Sequence, residues 1–321
     1  MDKLQNKLLK VPYVHCVFTL PHQLNGLAKS NPSLIYSMIL KASWMTVQQV
    51  MKRINAKAGM SLVLHTFGSD LKYHIHVHAL VTFGGLDQNG KWVFPLDKYK
   101  IARYREMCSG FKRAFLELLK KEYESGHINY HETFEQVEKD VKRLRWIVHS
   151  THPTIDPQLI TNYLGRYINR IAVSKQRIKL LQDSKEVILL YNDYKNQQKD
   201  QPPPKAIRHL DPLVAIDQIL THVLPRHFQK SRHVGLHNAS NKLKQKASEA
   251  LLNNVKIIRS VFQIITHLLG MEKMKCIKCN SELFDVTKIY ACKEYAQQFI
   301  NKVNKSPPIR KEILPDDCGV L

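Results

Sequence analysis

From Pro12 to Leu20 (PYVHCVFTL) apolar residues are dense and β-rich, which fits a buried strand that Pro21 stops. Between Ser33 and about Lys57, Ile35, Met38, Ile39, Ala42, Met45, Met51 and Ile54 recur at helical spacing, and Gly59 is placed to end that helix. Ser61 to Phe67 (SLVLHTF) and Tyr73 to Phe83 (YHIHVHALVTF) then read as two strands around a Gly-Ser-Asp turn, and Gly84-Gly85 and Asn89-Gly90 mark the next turns. A second helical pattern runs from Asp97 to about Tyr123, with Ile101, Tyr104, Phe111, Phe115, Leu118 and Leu119 as its inner face. Arg145 to Val148 and Glu186 to Leu190 read as short strands. Between them Asp156, as N-cap, and Pro157, in the first turn, start a helix through QLITNYLGRYINR. The polar, then proline-rich run 196–205 (NQQKDQPPPK) reads as a linker. Beyond it Asp211 to His222 is a short amphipathic helix, and Leu243 to Leu269 reads as one or two more. Strands and helices interleave without the regular alternation of a doubly wound sheet. The pattern therefore predicts the α+β class: an antiparallel sheet flanked by helices over 1–195, the linker 196–205, and a basic, mainly helical region over 206–321.

Charge changes this picture more than length does. The 321 residues carry 49 Lys plus Arg against 27 Asp plus Glu, a net +22, with 44% hydrophobic residues. That apolar content builds real cores and excludes disorder for the bulk of the chain. The charge surplus predicts a polyanionic partner, for which nucleic acid is the commonest candidate; no basic amphipathic helix points to a membrane. No stretch approaches the roughly 20 apolar residues of a membrane helix. The start MDKLQNKLLKVPYVHC lacks the pattern of a secretory signal, so the expectation is a cytoplasmic protein, nucleoid-associated when bound to DNA. Six Cys make no disulfide framework. Cys276-x-x-Cys279 with Cys292 and Cys318 is a candidate structural Zn2+ site, with free thiols as the alternative.

The densest chemistry sits in His74-Ile75-His76-Val77-His78. Side chains two apart on a strand share a face, so these three imidazoles point one way while Ile75, Val77 and Leu80 are expected to face the core. Neutral imidazoles ligate divalent metals at pH 7 without giving up a proton. Chance alone supplies an H-x-H-x-H run only ~0.04 times in such a chain. The bland alternative is the polar outer face of a strand. His65, on the preceding strand, is a candidate to contribute from the side, against the alternative of a satisfied core or edge histidine.

Tyr163 and Tyr167 lie four apart on the helix that Asp156 caps, and so share a face. Arg166 and Arg170 flank that face, and with Lys175, Arg177 and Lys179 they form a run free of acids. A phenol is a weak nucleophile unless activated; a metal on the scissile phosphate, with cations alongside, makes phosphoryl attack feasible. The pair alone is weak evidence, because roughly half such a pair is expected by chance and aromatics at helical spacing are usually core. Arg226, Lys230, Arg232, Lys242, Lys244 and Lys246 form a second basic stretch, read as DNA phosphate contacts against the alternative of an ordinary solvated face.

Four segments, PYVHCVFTLPHQL (12–24), LHTFGSDLKYHIHVHALVTFGG (64–85), NYLGRYINRIAVSKQRI (162–178) and HVLPRHFQKSRHVGL (222–236), resemble in order the two-tyrosine HUH transposases of rolling-circle insertion sequences, the branch that includes common-region elements. The resemblance covers most of residues 11 to 240. It implies an HUH-endonuclease-like fold with His76 and His78 as the HUH pair and His74 as a further ligand. It also implies Mg2+ or Mn2+ as the metal, Tyr163 and Tyr167 as nucleophiles, and single-stranded element ends as the DNA partner. The reaction it implies is cleavage and rejoining of that DNA through a 5′-phosphotyrosine. Arg166, Arg170, Lys175, Arg177, Arg226 and Arg232 are the DNA-contact candidates. Family members usually carry an N-terminal cysteine-rich zinc module; here only ten residues separate Met1 from the first matching segment, so the expectation is that the module is absent. Two other readings stand beside this one. One is a non-catalytic, decayed DNA-binding remnant of such a transposase. The other is a hydrolytic zinc enzyme on His74, His76 and His78, which has no use for two tyrosines.

Overall fold

In chain order the elements are β1 (Tyr13–Thr19), α1 (Asn25–Ser30), α2 (Pro32–Lys52), β2 (Gly59–Phe67), β3 (Tyr73–Thr82), β4 (Gly85–Leu86), β5 (Trp92–Val93), α3 (Tyr104–Glu124), α4 (Phe134–Lys142), β6 (Ile147–Ser150), β7 (Ile178–Leu181), β8 (Glu186–Asn192), β9 (Lys205–Leu210), α5 (Pro212–Thr221) and β10 (Ser231–Gly235). They come from a computed structural model that describes Leu9 and residues 11–97, 99–154, 165, 170–181, 185–194, 196–198, 201–238, 240, 243, 246–247 and 249–250. The chain divides after residue 260, and every described residue lies in the first unit. Among the described residues no helix is long and apolar enough to cross a membrane.

An antiparallel five-stranded sheet, ordered β10-β2-β3-β1-β6, is the frame, which is the α+β arrangement expected. Period-two alternation sends one set of side chains from each strand toward the helices, while β2 and most of β3 are buried on both faces. Val14, Cys16 and Phe18 of β1, Met60, Leu62 and Leu64 of β2, and Ile75, Val77, Ala79 and Val81 of β3 enter one core with residues of α2 and α3. Phe18 meets Phe111 of α3 edge-on at 5.2 Å between ring centroids, and Phe111 meets Trp146 at 5.4 Å. Leu80, expected on this side, lies on the other. It shares parity with His76 and His78 and joins a small cluster with Tyr13, Trp92 and Leu236.

Helix boundaries shift for physical reasons. Pro32 opens α2 at its first position, where a missing N–H costs nothing. The helix ends at Lys52, not Lys57, because Asn55 adopts φ 50 and turns the chain. Gly59 is therefore no helix stop: it begins β2, where a Cβ would meet His237 Cδ2 at 2.5 Å. The second long helix starts at Tyr104, not Asp97. Asp97 instead accepts from the Tyr99 N–H at 2.8 Å, a local turn that competes with helix. Helix α4 was not anticipated, although Thr133 and Gln136 form a complete capping box at its start.

A second, three-stranded sheet, β7-β8-β9, packs against α5 around Val187, Leu189, Leu210 and Ala215. The run read as a linker joins β8 to β9, which pair from Asn192↔Lys205 to Val187↔Leu210. Leu71, at the tip of the β2–β3 hairpin, is fully buried in this second core and holds φ 63. Its backbone neighbourhood is gripped from the second sheet. Arg177 donates to the Ser69 carbonyl, Arg208 to the Asp70 carbonyl, and His222 Nε2 to the Leu71 carbonyl at 2.9 Å, while Ser69 Oγ donates to the Asn192 carbonyl at 2.6 Å.

Candidate metal centre

Strand β3 lies in the middle of the sheet, so the face away from the helices presents its histidines between two neighbours. His76 pairs with Thr19 on one side and His65 on the other; His78 pairs with Val17 and Val63. Cross-strand partners project from the same face. His65, His76 and His78 thereby converge, with one ligand atom from each within 4.8 Å of the others. Their rings meet near-perpendicularly, at centroid distances of 4.8 Å (His65–His78), 4.9 Å (His76–His78) and 5.4 Å (His65–His76). Among the described residues this is the group able to hold a metal ion.

The donor chemistry fits. His76 Nδ1 donates to the His74 carbonyl at 2.9 Å, which leaves the Nε2 lone pair for a ligand bond. Burial pushes the His76 imidazole down to about 3, with His65, His74 and the Arg170 cation adding to the effect. Burial likewise drives His78 strongly down, helped by His76, His65, His15 and Arg170. Both rings are therefore neutral at pH 7, the form that binds metal. His15 of β1 had not been singled out. Its Nε2 sits 3.1 Å from His78 Nδ1, and the two rings stack at 5.3 Å. Its signal was its parity: His15 and Val17 share a face, and Val17 is the register partner of His78.

His74, the further ligand the resemblance implies, is placed beside the group of three, its carbonyl accepting from His76 Nδ1. It is exposed, its ring lies 5.1 Å from that of His76, and it falls outside the group of three, where His65 stands. Of the basic candidates, Arg170 approaches the centre, lying over the Phe67 ring at 5.9 Å while Phe67 stacks on His65. Arg177 donates to the Leu190 and Ala172 carbonyls as well as to Ser69, so its guanidinium is engaged in holding the fold. Arg232 pairs in register with Leu62, on the helix side, and donates to Ser37 Oγ at 3.1 Å. Lys175 and Arg226 are exposed. Tyr163, Arg166 and Tyr167 lie outside the described residues, as do Cys276, Cys279, Cys292 and Cys318; Gly165, between the tyrosines, is helical.

An antiparallel sheet with helices on one face and, on the other, a histidine group able to hold a metal ion defines an α+β architecture with a candidate metal site. Residues 59–245 match a family described as "Putative transposase" (Y2_Tnp), and the chain belongs to that transposase family. It is 28% identical over 248 residues to the "Putative transposase y4qJ" of Sinorhizobium fredii (strain NBRC 101917 / NGR234), covering 73% of this chain and 61% of that protein. It is also 28% identical over 243 residues to the "Transposase for insertion sequence element IS801" of Pseudomonas savastanoi pv. phaseolicola, covering 72% of this chain and 55% of that protein. The chain thus spans somewhat more than half the length of these relatives. No solved structure matches it.

Proposed function

We propose that the chain is a rolling-circle transposase that cleaves and rejoins single-stranded DNA through a 5′-phosphotyrosine. The observation that carries this reading is the convergence of His65 of β2 with His76 and His78 of the central strand in a chain of a transposase family. His65, His76 and His78 would hold a divalent ion, which would supply Lewis-acid polarisation of a phosphate there. Of the two metals considered, three nitrogen donors suit Mn2+ better than Mg2+, which prefers oxygen. Arg170, at the rim of the centre, offsets the charge that builds on the phosphoryl oxygens. The hydroxyl of Tyr163 or Tyr167 gives up its proton as its oxygen bonds to phosphorus. The P–O3′ bond breaks, and the leaving 3′-oxygen takes up a proton. The second tyrosine repeats the attack on another strand, and a 3′-OH reverses either step, which makes transfer as accessible as cleavage. The +22 charge supplies sequence-independent attraction to the phosphate backbone.

The test is a denaturing gel of the full chain with labelled single-stranded DNA carrying its element's ends, with and without Mn2+. The expected result is an SDS-stable, metal-dependent labelled band that persists in at least one of Tyr163→Phe and Tyr167→Phe and vanishes in the double variant. Bound DNA without any such band overturns the catalytic reading in favour of a DNA-binding remnant.

A further inference from the structure

The first turns of α3 and the segment leading into β6 line an open cavity of about 430 Å³ between Tyr104, Arg105, Cys108, Lys112, Arg145 and Trp146. That volume is in the range of small-ligand sites. Its lining holds three cations and two aromatic rings and no carboxylate. The Arg145 guanidinium lies 5.3 Å over the Tyr104 ring, and Tyr104 keeps 41% of its surface exposed, so the ring is accessible to a ligand. Lys112 is anchored by donating Nζ to the Lys142 carbonyl at 2.9 Å, which holds the ammonium at the cavity wall.

Its position matters as much as its lining. Strand β6 is the edge strand next to β1 and lies two strand spacings, about 10 Å, from β3. Ile147, 48% exposed, and the exposed His149 sit on β6, opposite Thr19 and Val17 on the histidine face. The cavity lies beyond this edge on the helix side, where α3 packs, so a strand of DNA reaching it from the histidine face crosses β1 and β6 and turns the edge of the sheet. A rigid aromatic paired with a guanidinium, ringed by cations, is the chemistry that receives an unstacked base and its phosphate.

We propose that this cavity is a second nucleotide-binding subsite, in which a base of single-stranded DNA stacks on the Tyr104–Arg145 pair while Arg105 and Lys112 hold its phosphates. The subsite rests on the reading of single-stranded DNA as substrate, but not on cleavage.

Its test is binding without turnover. A fluorescein-labelled thymidine 20-mer is titrated with the full chain in EDTA and followed by anisotropy. Tyr104→Ala and Arg145→Ala are expected to weaken binding roughly tenfold each, Tyr104→Phe to stay near wild type, and a duplex of equal length to change less than twofold. Lys41→Ala, an exposed site on α2, serves as the charge control and is expected to leave affinity within twofold. Should Tyr104→Ala fail to fold, a readout on wild type remains. Cys108, partly exposed in the cavity, is expected to be alkylated several-fold more slowly when the 20-mer saturates the protein, as read by peptide mass spectrometry. Cys16 does not interfere, since it is buried and its thiol is pushed up to about 12 by that burial. Unchanged single-strand affinity in folded Tyr104→Ala, equal losses on duplex, or unprotected Cys108 each overturn the subsite. None of these bears on the covalent band, which tests the catalytic reading separately.

Discussion

His65 and His74 carry the sharpest residue-scale contrast in the molecule. Both are neighbours of His76, but His65 faces it across a strand pair while His74 lends it a carbonyl. In a calorimetric Mn2+ titration, His65→Ala and His76→Ala are expected to lower affinity at least about tenfold, and His74→Ala less than twofold. A larger loss in His74→Ala than in His65→Ala would return the third ligand to the H-x-H-x-H run. Strand parity made the shared face of His76 and His78 legible from sequence alone. It did not separate His74 from His65, because the choice depends on which strand lies beside β3 and in what register. Parity also decided Leu80, whose even position puts it with the histidines despite its apolar side chain. His15 escaped notice for the same reason as His65: its role depends on pairing 63 residues away.

At the level of elements, what was legible followed the strength of the local pattern. β1, β2, β3, α2 and α3 have long apolar periodicity and were found, with boundaries moved by Asn55 and Asp97, whose backbone preferences override the pattern. α5 was legible to the residue, since Asp211 caps it through the Leu213 N–H at 2.8 Å and Pro212 opens it. β9 and β10 were not. β9 follows a proline run that reads as linker, and β10 is a five-residue edge strand whose order comes from pairing with β2. The hairpin tip was read only as a turn, yet Leu71 is the residue through which β2 and β3 reach the second core. Replacing it with Ala removes a fully buried side chain, so Leu71→Ala is expected to cost about 3 kcal/mol in urea unfolding. A loss under 1 kcal/mol would mean that the small core closes without it.

For the molecule as a whole, the histidine face sets a pH window. His15 is pushed down to about 3 by burial and by His149, and His76 to a similar value. An imidazole in the unfolded chain titrates near 6.5, so between these values the unfolded chain binds protons that the folded chain refuses. Stability of the metal-free protein is therefore complete above about pH 6.5 and falls as pH drops toward 3. Thermal midpoints measured from pH 8 to 5 are expected to decline below 6.5, and a flat profile would show that the imidazoles charge freely in the folded state. The net +22 was readable at once, but it says only that a polyanion is attracted, not where it lies.

The hairpin tip works as a tenon in a mortise. Four donors clasp residues 69–71 and 192, and the side chain of Leu71 fills the socket, so the strands that bear His65 and His76 are joined to the sheet that follows Arg170. A jointed frame of that kind transmits displacement without bending. Any displacement of the second sheet is therefore carried to the hairpin on which His65 and His76 stand through four hydrogen bonds and one buried side chain, none of which touches the histidines themselves.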